Sequence, residues 1–255
     1  MMTFKKMTML CFSLAFTVGI GLVLVSVATA GPLKVDFRAP NPPGGIDATP
    51  QDGWDAFIKD ISNHTDFTSV QTETYNSSLG VGGTVDVTLN PDTQNNHVAG
   101  VFPQWRNRPS VTGGPGADIG NMLGSRWGIS SIPNGSAIIP MQISNLKNGT
   151  YDLTVYHHDT NAANEPHWDD PANSLTANGI VAAGGKQSTG THEPDPVGMS
   201  TVQFDVTNNV AEIVFTKGQA SGELVVNGFQ LIPEPGTLVL LCLGGMLLAC
   251  RRSRR

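Results

Sequence analysis

Between Phe12 and Leu241 the sequence has no cysteine; its three, Cys11, Cys242 and Cys250, all sit in apolar segments at the two ends. The intervening chain therefore has no disulfide, no thiolate metal site and no cysteine nucleophile. Positive charge is scarce as well. Six of the 15 basic residues are Lys5, Lys6, Arg251, Arg252, Arg254 and Arg255, while all 21 acidic residues lie between them, leaving nine basic residues and a formal charge of −12 for the middle. A surface of that sign repels phosphate backbones and excludes nucleic acid as a partner. Sustained 3.6-residue periodicity is also missing, which argues against a helical bundle. No Gly-x-Ser-x-Gly elbow, zincin helix or phosphate loop is present, so the common signatures of hydrolases and nucleotide enzymes are absent.

What is present begins with the ends. Lys5 and Lys6 precede an apolar run from Met7 to about Val27, and Ala28-Thr29-Ala30 then forms a small-x-small cleavage site. These are the three parts of a secretory signal, with cleavage between Ala30 and Gly31. The run is long, so an uncleaved anchor is the rival reading. At the other end Pro233-Glu234-Pro235 precede an apolar stretch from about Thr237 to Cys250 and the basic cluster Arg251–Arg255. About 14 residues at 1.5 Å each make a helix of about 21 Å, short of a hydrocarbon core of about 30 Å. Retention in the membrane would be transient, with the arginines on the cytoplasmic side.

In that order, the three parts of the tail resemble a PEP-CTERM sorting signal. The resemblance implies export in a Gram-negative-type bacterium and processing by an exosortase near Pro233-Glu234-Pro235, with Arg251 and Arg252 opening the basic end. The destination it implies is the envelope, the cell surface or an extracellular matrix. The domain layout is then a signal peptide over 1–30, an ectodomain over 31–232 and a sorting signal over 233–255.

The middle reads as short strands between turns rich in Gly, Pro, Asn, Ser and Thr. Residues 33–37, 69–75, 82–90, 136–146 and 150–158 have strand character. Val85, Val87 and Leu89 share one face of their strand, and Tyr151, Leu153, Val155 and His157 share one face of theirs. Lys147-Asn148-Gly149 predicts a tight hairpin, and Asn178-Gly179 another. Residues 200–206, 210–216 and 223–232, joined by short turns, predict a three-stranded antiparallel meander. One or two helical turns around Trp54–Ile58 are the only helical expectation, with Trp54 and Phe57 in the core. Eight or more strands without helical crossovers predict an all-β fold. The expected architecture is a jelly roll or two-sheet antiparallel β-sandwich, flanked by the signal helix and the short C-terminal apolar helix.

Several short pieces also appear in the order seen in galactose-binding-like jelly-roll domains. They are Val35-Asp36-Phe37, Gln51 through Phe57, Arg106-Asn107-Arg108, Gly149-Thr150-Tyr151, Tyr156-His157-His158-Asp159 and Val226-Asn227-Gly228-Phe229. The middle resembles that group, and the resemblance supports the fold rather than an activity.

The densest polar cluster follows the strand ending at His157. His158, Asp159, His167 and Asp169 could converge on a divalent cation: the imidazoles suit zinc, and the carboxylate and amide oxygens suit calcium, the one cofactor worth testing. The same loop could contact sugar hydroxyls through His158 and Asp159, with Trp168 as a stacking ring. Arg106 and Arg108, beside Trp105, form a second candidate site for sugar or carboxylate groups. Against these stand plainer roles: His157 in the core, His158 capping a strand, and arginines paired with internal carboxylates. Paired carboxylates exist, Asp169-Asp170 and Glu193 near Asp195, but adjacent carboxylates tend to point apart, which disfavours a glycosidase. Asn63, Asn76, Asn134 and Asn148 begin Asn-x-Ser/Thr triplets that read as turn chemistry. Together these features predict a non-catalytic, carbohydrate- or exopolysaccharide-binding surface protein, with the export machinery and an exosortase as partners. The alternatives are a purely structural matrix protein and a glycan hydrolase.

Overall fold

The structure, a computed structural model, describes residues 30–38, 49–58, 70–90, 103–107, 118–129, 137–159, 173–185, 188–189, 197–218 and 224–234. By proximity along the chain trace, residues 1–30 and 31–255 separate into two units; all described residues except Ala30 belong to the second. Both expected terminal helices lie outside the described residues. Among the described residues no helix is long and apolar enough to cross a membrane.

The second unit is a sandwich of two six-stranded sheets. Its strands are β1 (Leu33–Arg38), β2 (Asp55–Ile58), β3 (Gln71–Asn76), β4 (Thr84–Leu89), β5 (Pro103–Asn107), β6 (Ser125–Ile129), β7 (Ala137–Ser144), β8 (Gly149–Tyr156) and β9 (His158–Asp159). They continue as β10 (Asn173–Ala177), β11 (Ile180–Val181), β12 (Ala183–Gly184), β13 (Ser188–Thr189), β14 (Met199–Val206), β15 (Val210–Lys217), β16 (Leu224–Val226) and β17 (Gly228–Pro233). The first sheet runs β12-β14-β8-β17-β1-β2 and the second β11-β10-β15-β7-β4-β3. Within these two sheets every neighbouring pair is antiparallel except β1 with β2.

Period-two alternation makes the core. Tyr151, Leu153 and Val155 of β8 and Val202, Phe204 and Val206 of β14 are buried from one sheet; Val85, Val87 and Leu89 of β4 and Ile213 and Phe215 of β15 are buried from the other. Phe37 meets Phe57 edge-on at 5.5 Å between ring centroids and Phe229 at 6.0 Å.

Where helical turns were expected at Trp54–Ile58, the chain forms strand β2, paired in parallel with β1 from Val35↔Asp55 to Arg38↔Ile58. A single isolated helical turn fixes several dihedrals for one hydrogen bond. The strand instead gains a ladder and buries Phe57 fully, worth about 1.5–3 kcal/mol for a side chain of that size. Trp54 is buried as expected, against Tyr156 with centroids 5.7 Å apart. The one short α-helix among the described residues, α1 (Gly120–Gly124), lies where none was expected.

Two turn assignments are also corrected. The strands on either side of Lys147-Asn148-Gly149 do not pair with each other: β7 belongs to the second sheet and β8 to the first. The expected meander is likewise broken up, because β14 lies in the first sheet, β15 in the second and β17 back in the first. Both connections cross the sandwich. They lie side by side, with Asn209 N–H donating to Asn148 Oδ1 at 2.9 Å and Asn209 Nδ2 to Leu146 O at 2.6 Å. Asn145 and Asn209 both take φ of 62°, a left-handed conformation that asparagine tolerates better than most residues. By contrast Asn178-Gly179, with φ of 47° and 79°, is the expected two-residue hairpin turn, joining β10 to β11.

Candidate functional site

The expected single strand over 223–232 is two strands, β16 and β17, broken at Asn227. Asn227 is fully buried. Its backbone N–H donates to Tyr156 O at 3.0 Å, and its carbonyl accepts Phe37 N–H at 2.8 Å. Its side chain does more. Oδ1 accepts the backbone N–H of His158 at 2.6 Å, while Nδ2 donates to His158 O and Leu123 O, each at 3.0 Å. A primary amide is the compact group that offers an acceptor and two donors at once. Asn227 therefore ties the end of β8, the start of β9, strand β1 and helix α1 into one joint. Gly228 lets the joint close: a Cβ there would lie 2.5 Å from Val35 O and 2.7 Å from Met122 Sδ.

His157 sits beside the joint, fully buried. Nδ1 is 2.9 Å from Val225 O and Nε2 is 2.9 Å from Ser200 Oγ. A carbonyl only accepts, so Nδ1 carries the hydrogen and Nε2 accepts from the Ser200 hydroxyl. Burial lowers its pKa to about 3, against the opposing pull of the Val225 hydrogen bond. His157 is thus a neutral structural bridge at pH 7. Ser200 is buried with it, and His157 N–H donates to Gly198 O at 2.8 Å.

A second buried polar group anchors β1. Arg38 Nε and one terminal guanidinium nitrogen lie 2.9 Å from Asp36 Oδ2. The same oxygen accepts Gln51 N–H at 3.0 Å, and Gln51 Nε2 reaches Asp118 O at 3.0 Å. Both charges are taken from water, so their worth lies in fixing the geometry of β1, the approach to β2 and the segment before α1.

The candidate residues can now be placed. His158 and Asp159 form β9, and the His158 side chain is buried. Strand β9 pairs in parallel with β13 and lies against β16 and α1. β16 pairs with β6, which pairs with β5, and β5 carries Arg106. The small β16-β6-β5 sheet therefore links β9, with His158 and Asp159, to β5, with Arg106. Arg106 stands opposite Arg126, and Trp105 opposite Trp127. Arg108, Trp168, His167 and Asp169 lie outside the described residues, as do Asp170, Glu193 and Asp195. Among the described residues no three His, Cys, Asp or Glu side chains are grouped to hold a metal ion.

At the termini, Ala30 is partly exposed, and Ala28, Pro235, Arg251 and Arg252 lie outside the described residues. Pro233 and Glu234 are part of the sandwich. Pro233 is the last residue of β17, opposite Tyr151. Glu234 N–H donates to Thr150 O at 2.9 Å. Gln203 Nε2 donates to Glu234 Oε1 at 2.6 Å and to Asp152 Oδ1 at 3.2 Å. The Glu234 carboxyl is pushed up, first by its hydrogen bond with Asp152 and then by that residue's charge.

In the sequence Val225-Val226-Asn227-Gly228-Phe229 reads as continuous strand, which hides the Asn227 joint. The available clue is Asn-Gly inside an apolar run, a pair that more often marks a break than a rung.

Residues 231–255 match the PEP-CTERM protein-sorting motif. The chain therefore carries a sorting signal of that type, which marks an exported protein of the cell envelope or surface. No curated protein matches the sequence. Among solved structures, a Bacillus subtilis protein is similar at 13% identity and TM-score 0.32, over 80% of this chain and 40% of its own, so this chain spans two fifths of that protein's length. A CBM35 from Cellvibrio japonicus Abf62 is similar at 14% identity and TM-score 0.33, over 58% of this chain and 94% of that one. A family 35 carbohydrate binding module from Clostridium thermocellum is similar at 13% identity and TM-score 0.29, over 64% and 97%. Likenesses at these scores carry no argument; the sandwich rests on its own strand pairing.

Proposed function

We propose that the sandwich is a non-catalytic carbohydrate-binding domain. It is carried out of a Gram-negative-type cell by the signal peptide and handed to the envelope or matrix by an exosortase acting on the tail. The proposed layout is a signal peptide over 1–30, an ectodomain over 31–232 and a sorting signal over 233–255. One observation carries the binding reading. The buried Asn227 joint fixes β9, and the β16-β6-β5 sheet links β9 to β5, with Arg106. In sequence, His167, Trp168 and Asp169 follow Asp159 within ten residues. Binding groups concentrate on loops held by a rigid scaffold. Sugars are recognised by the residue types that the sequence offers in these two segments: a planar ring for stacking, guanidinium forks for hydroxyl and carboxylate oxygens, and carboxylates with or without calcium.

The test is a glycan array with the exported protein, run in calcium and in chelator. Binding to one polysaccharide class supports the reading. A null across bacterial polysaccharides under both conditions overturns it and leaves a structural matrix component. Deleting residues 233–255 tests the sorting half separately: the protein should then appear in the medium, and unchanged envelope attachment would refute that half.

A further inference from the structure

The sorting motif begins inside the folded domain. Strand β17 lies between β8 and β1, and its two sides are covered to different lengths. Against β1 its pairing stops at Leu33↔Leu231. Against β8 it continues through Ile232↔Asp152 and Pro233↔Tyr151, and Glu234 N–H adds one more bond to Thr150 O. Residues up to Leu231 are thus held on both sides, and Phe229 and Leu231 are fully buried. Residues 232–234 are held on one side only, and Ile232 is 38% exposed. Proline adds nothing as a donor, because Pro233 has no N–H. The last fixed point is the Gln203 side chain, which reaches from β14 past Asp152 to Glu234.

We infer that residues 232–234 form a latch that closes over the start of the sorting motif, so that a processing enzyme captures the tail only while this rung is open. The inference rests on the reading that the tail is processed. A peptidase or transpeptidase must take its substrate as an extended strand with free backbone groups. With Pro233 and Glu234 held against β8, two of the three residues of Pro233-Glu234-Pro235 are withheld. Opening is local: it breaks one strand contact and removes no fully buried side chain, since Ile232, Pro233 and Glu234 are all partly or well exposed, and it stops at Leu231, where pairing on both sides begins. The fold itself then sets when, or how fast, the cargo is released from its signal.

The test compares three full-length proteins in a host with the exosortase, following conversion of precursor to processed form by pulse-chase. Ile232→Cys with Asp152→Cys joins facing positions of β17 and β8 and locks the rung in an oxidising compartment. Gln203→Ala removes the side chain that holds Glu234. The lock should slow conversion by about tenfold or more, with the rate recovered on adding reductant, and Gln203→Ala should speed it. An oxidised lock processed at the wild-type rate overturns the latch while leaving the sorting reading intact. A wild-type chain that is never converted, with or without the exosortase, overturns both. Hydrogen exchange on the purified wild-type chain is independent of folding defects in the variants. The Glu234 amide should exchange by local opening, decades faster than the amides of Phe229–Leu231; equal rates would likewise overturn the latch.

Discussion

Asn227 grips the backbone of His158 from both directions, accepting its N–H at 2.6 Å and donating to its carbonyl at 3.0 Å. The two residues are 69 apart in sequence. The grip does the work of a strand pairing without being one, and it determines where the chain goes after β8. A third bond, to Leu123 O, adds α1 to the same side chain.

Replacing Asn227 by Ala should therefore remove three hydrogen bonds to buried backbone groups, one to the His158 N–H and two to the carbonyls of His158 and Leu123. At about 1 kcal/mol each the loss is about 3 kcal/mol, a melting-temperature drop of roughly 6–12 °C for a domain of this size. Asn227→Asp should not rescue it, because a carboxylate offers no hydrogen to the carbonyls of His158 and Leu123. Thermal melts of the two variants check this, and a wild-type melt for Asn227→Ala would remove the joint from the account.

Gly228→Ala puts a methyl group 2.5 Å from Val35 O and 2.7 Å from Met122 Sδ. Met122 can yield but the β1 carbonyl cannot, because it belongs to the strand ladder. Overpacking of this kind costs about 1–3 kcal/mol. Denaturant unfolding should show a lowered midpoint, and in a Met122→Ala background, itself destabilised by the loss of a buried side chain, the further penalty of Gly228→Ala should be smaller but not nil.

Acid should weaken the sandwich through His157. Its folded pKa of about 3 lies below the ordinary 6.5, so between those values the unfolded chain binds the extra proton. Its contribution to stability is complete above pH 6.5 and falls as pH drops toward 3, with a slope of at most about 1.4 kcal/mol per pH unit. His157→Gln should flatten this part of the stability–pH curve, measured by urea unfolding from pH 4 to 7. An unchanged slope would mean that another group is responsible.

For the binding reading, Arg106→Ala and Trp168→Ala should each weaken the polysaccharide class found on the array by at least about tenfold in Kd. Isothermal titration would measure the loss, and both variants should keep the wild-type melt. If both bind as wild type, the site lies elsewhere on the sandwich.

Much of this could be read before any coordinates. The all-β class follows from period-two alternation, and most strand positions fall within a few residues of their expected ends, because alternation and turn chemistry are local. His157, which continues the inward row of β8, follows from the same alternation; Trp54 and Phe57 are buried as expected, although the helical spacing that suggested it is not the conformation they take. Sheet membership does not. A short Asn-rich turn reports that the chain reverses, but it does not say whether the next strand pairs with the last or crosses to the other sheet. At 145–149 and 207–209 that choice is made by contacts between the two turns, through Asn209 with Asn148 and Leu146. The candidate site is legible only in part for the same reason: Asp159 and Arg106 are named by their chemistry, and the small sheet that relates them has no sequence signature.

The sequence by itself determined the address and the material. The Pro-Glu-Pro, apolar and basic parts of the tail identify the sorting motif by their own composition, and alternating side chains make strands wherever they fold. Tertiary structure alone decided that β2 is a strand, that Asn227 is a joint, and that the sorting motif starts within the sheet. Each of those depends on groups far along the chain: β1 beside β2, His158 and Leu123 around Asn227, Thr150 and Gln203 holding Glu234. A local pattern carries no information about a partner that only folding brings within 3 Å.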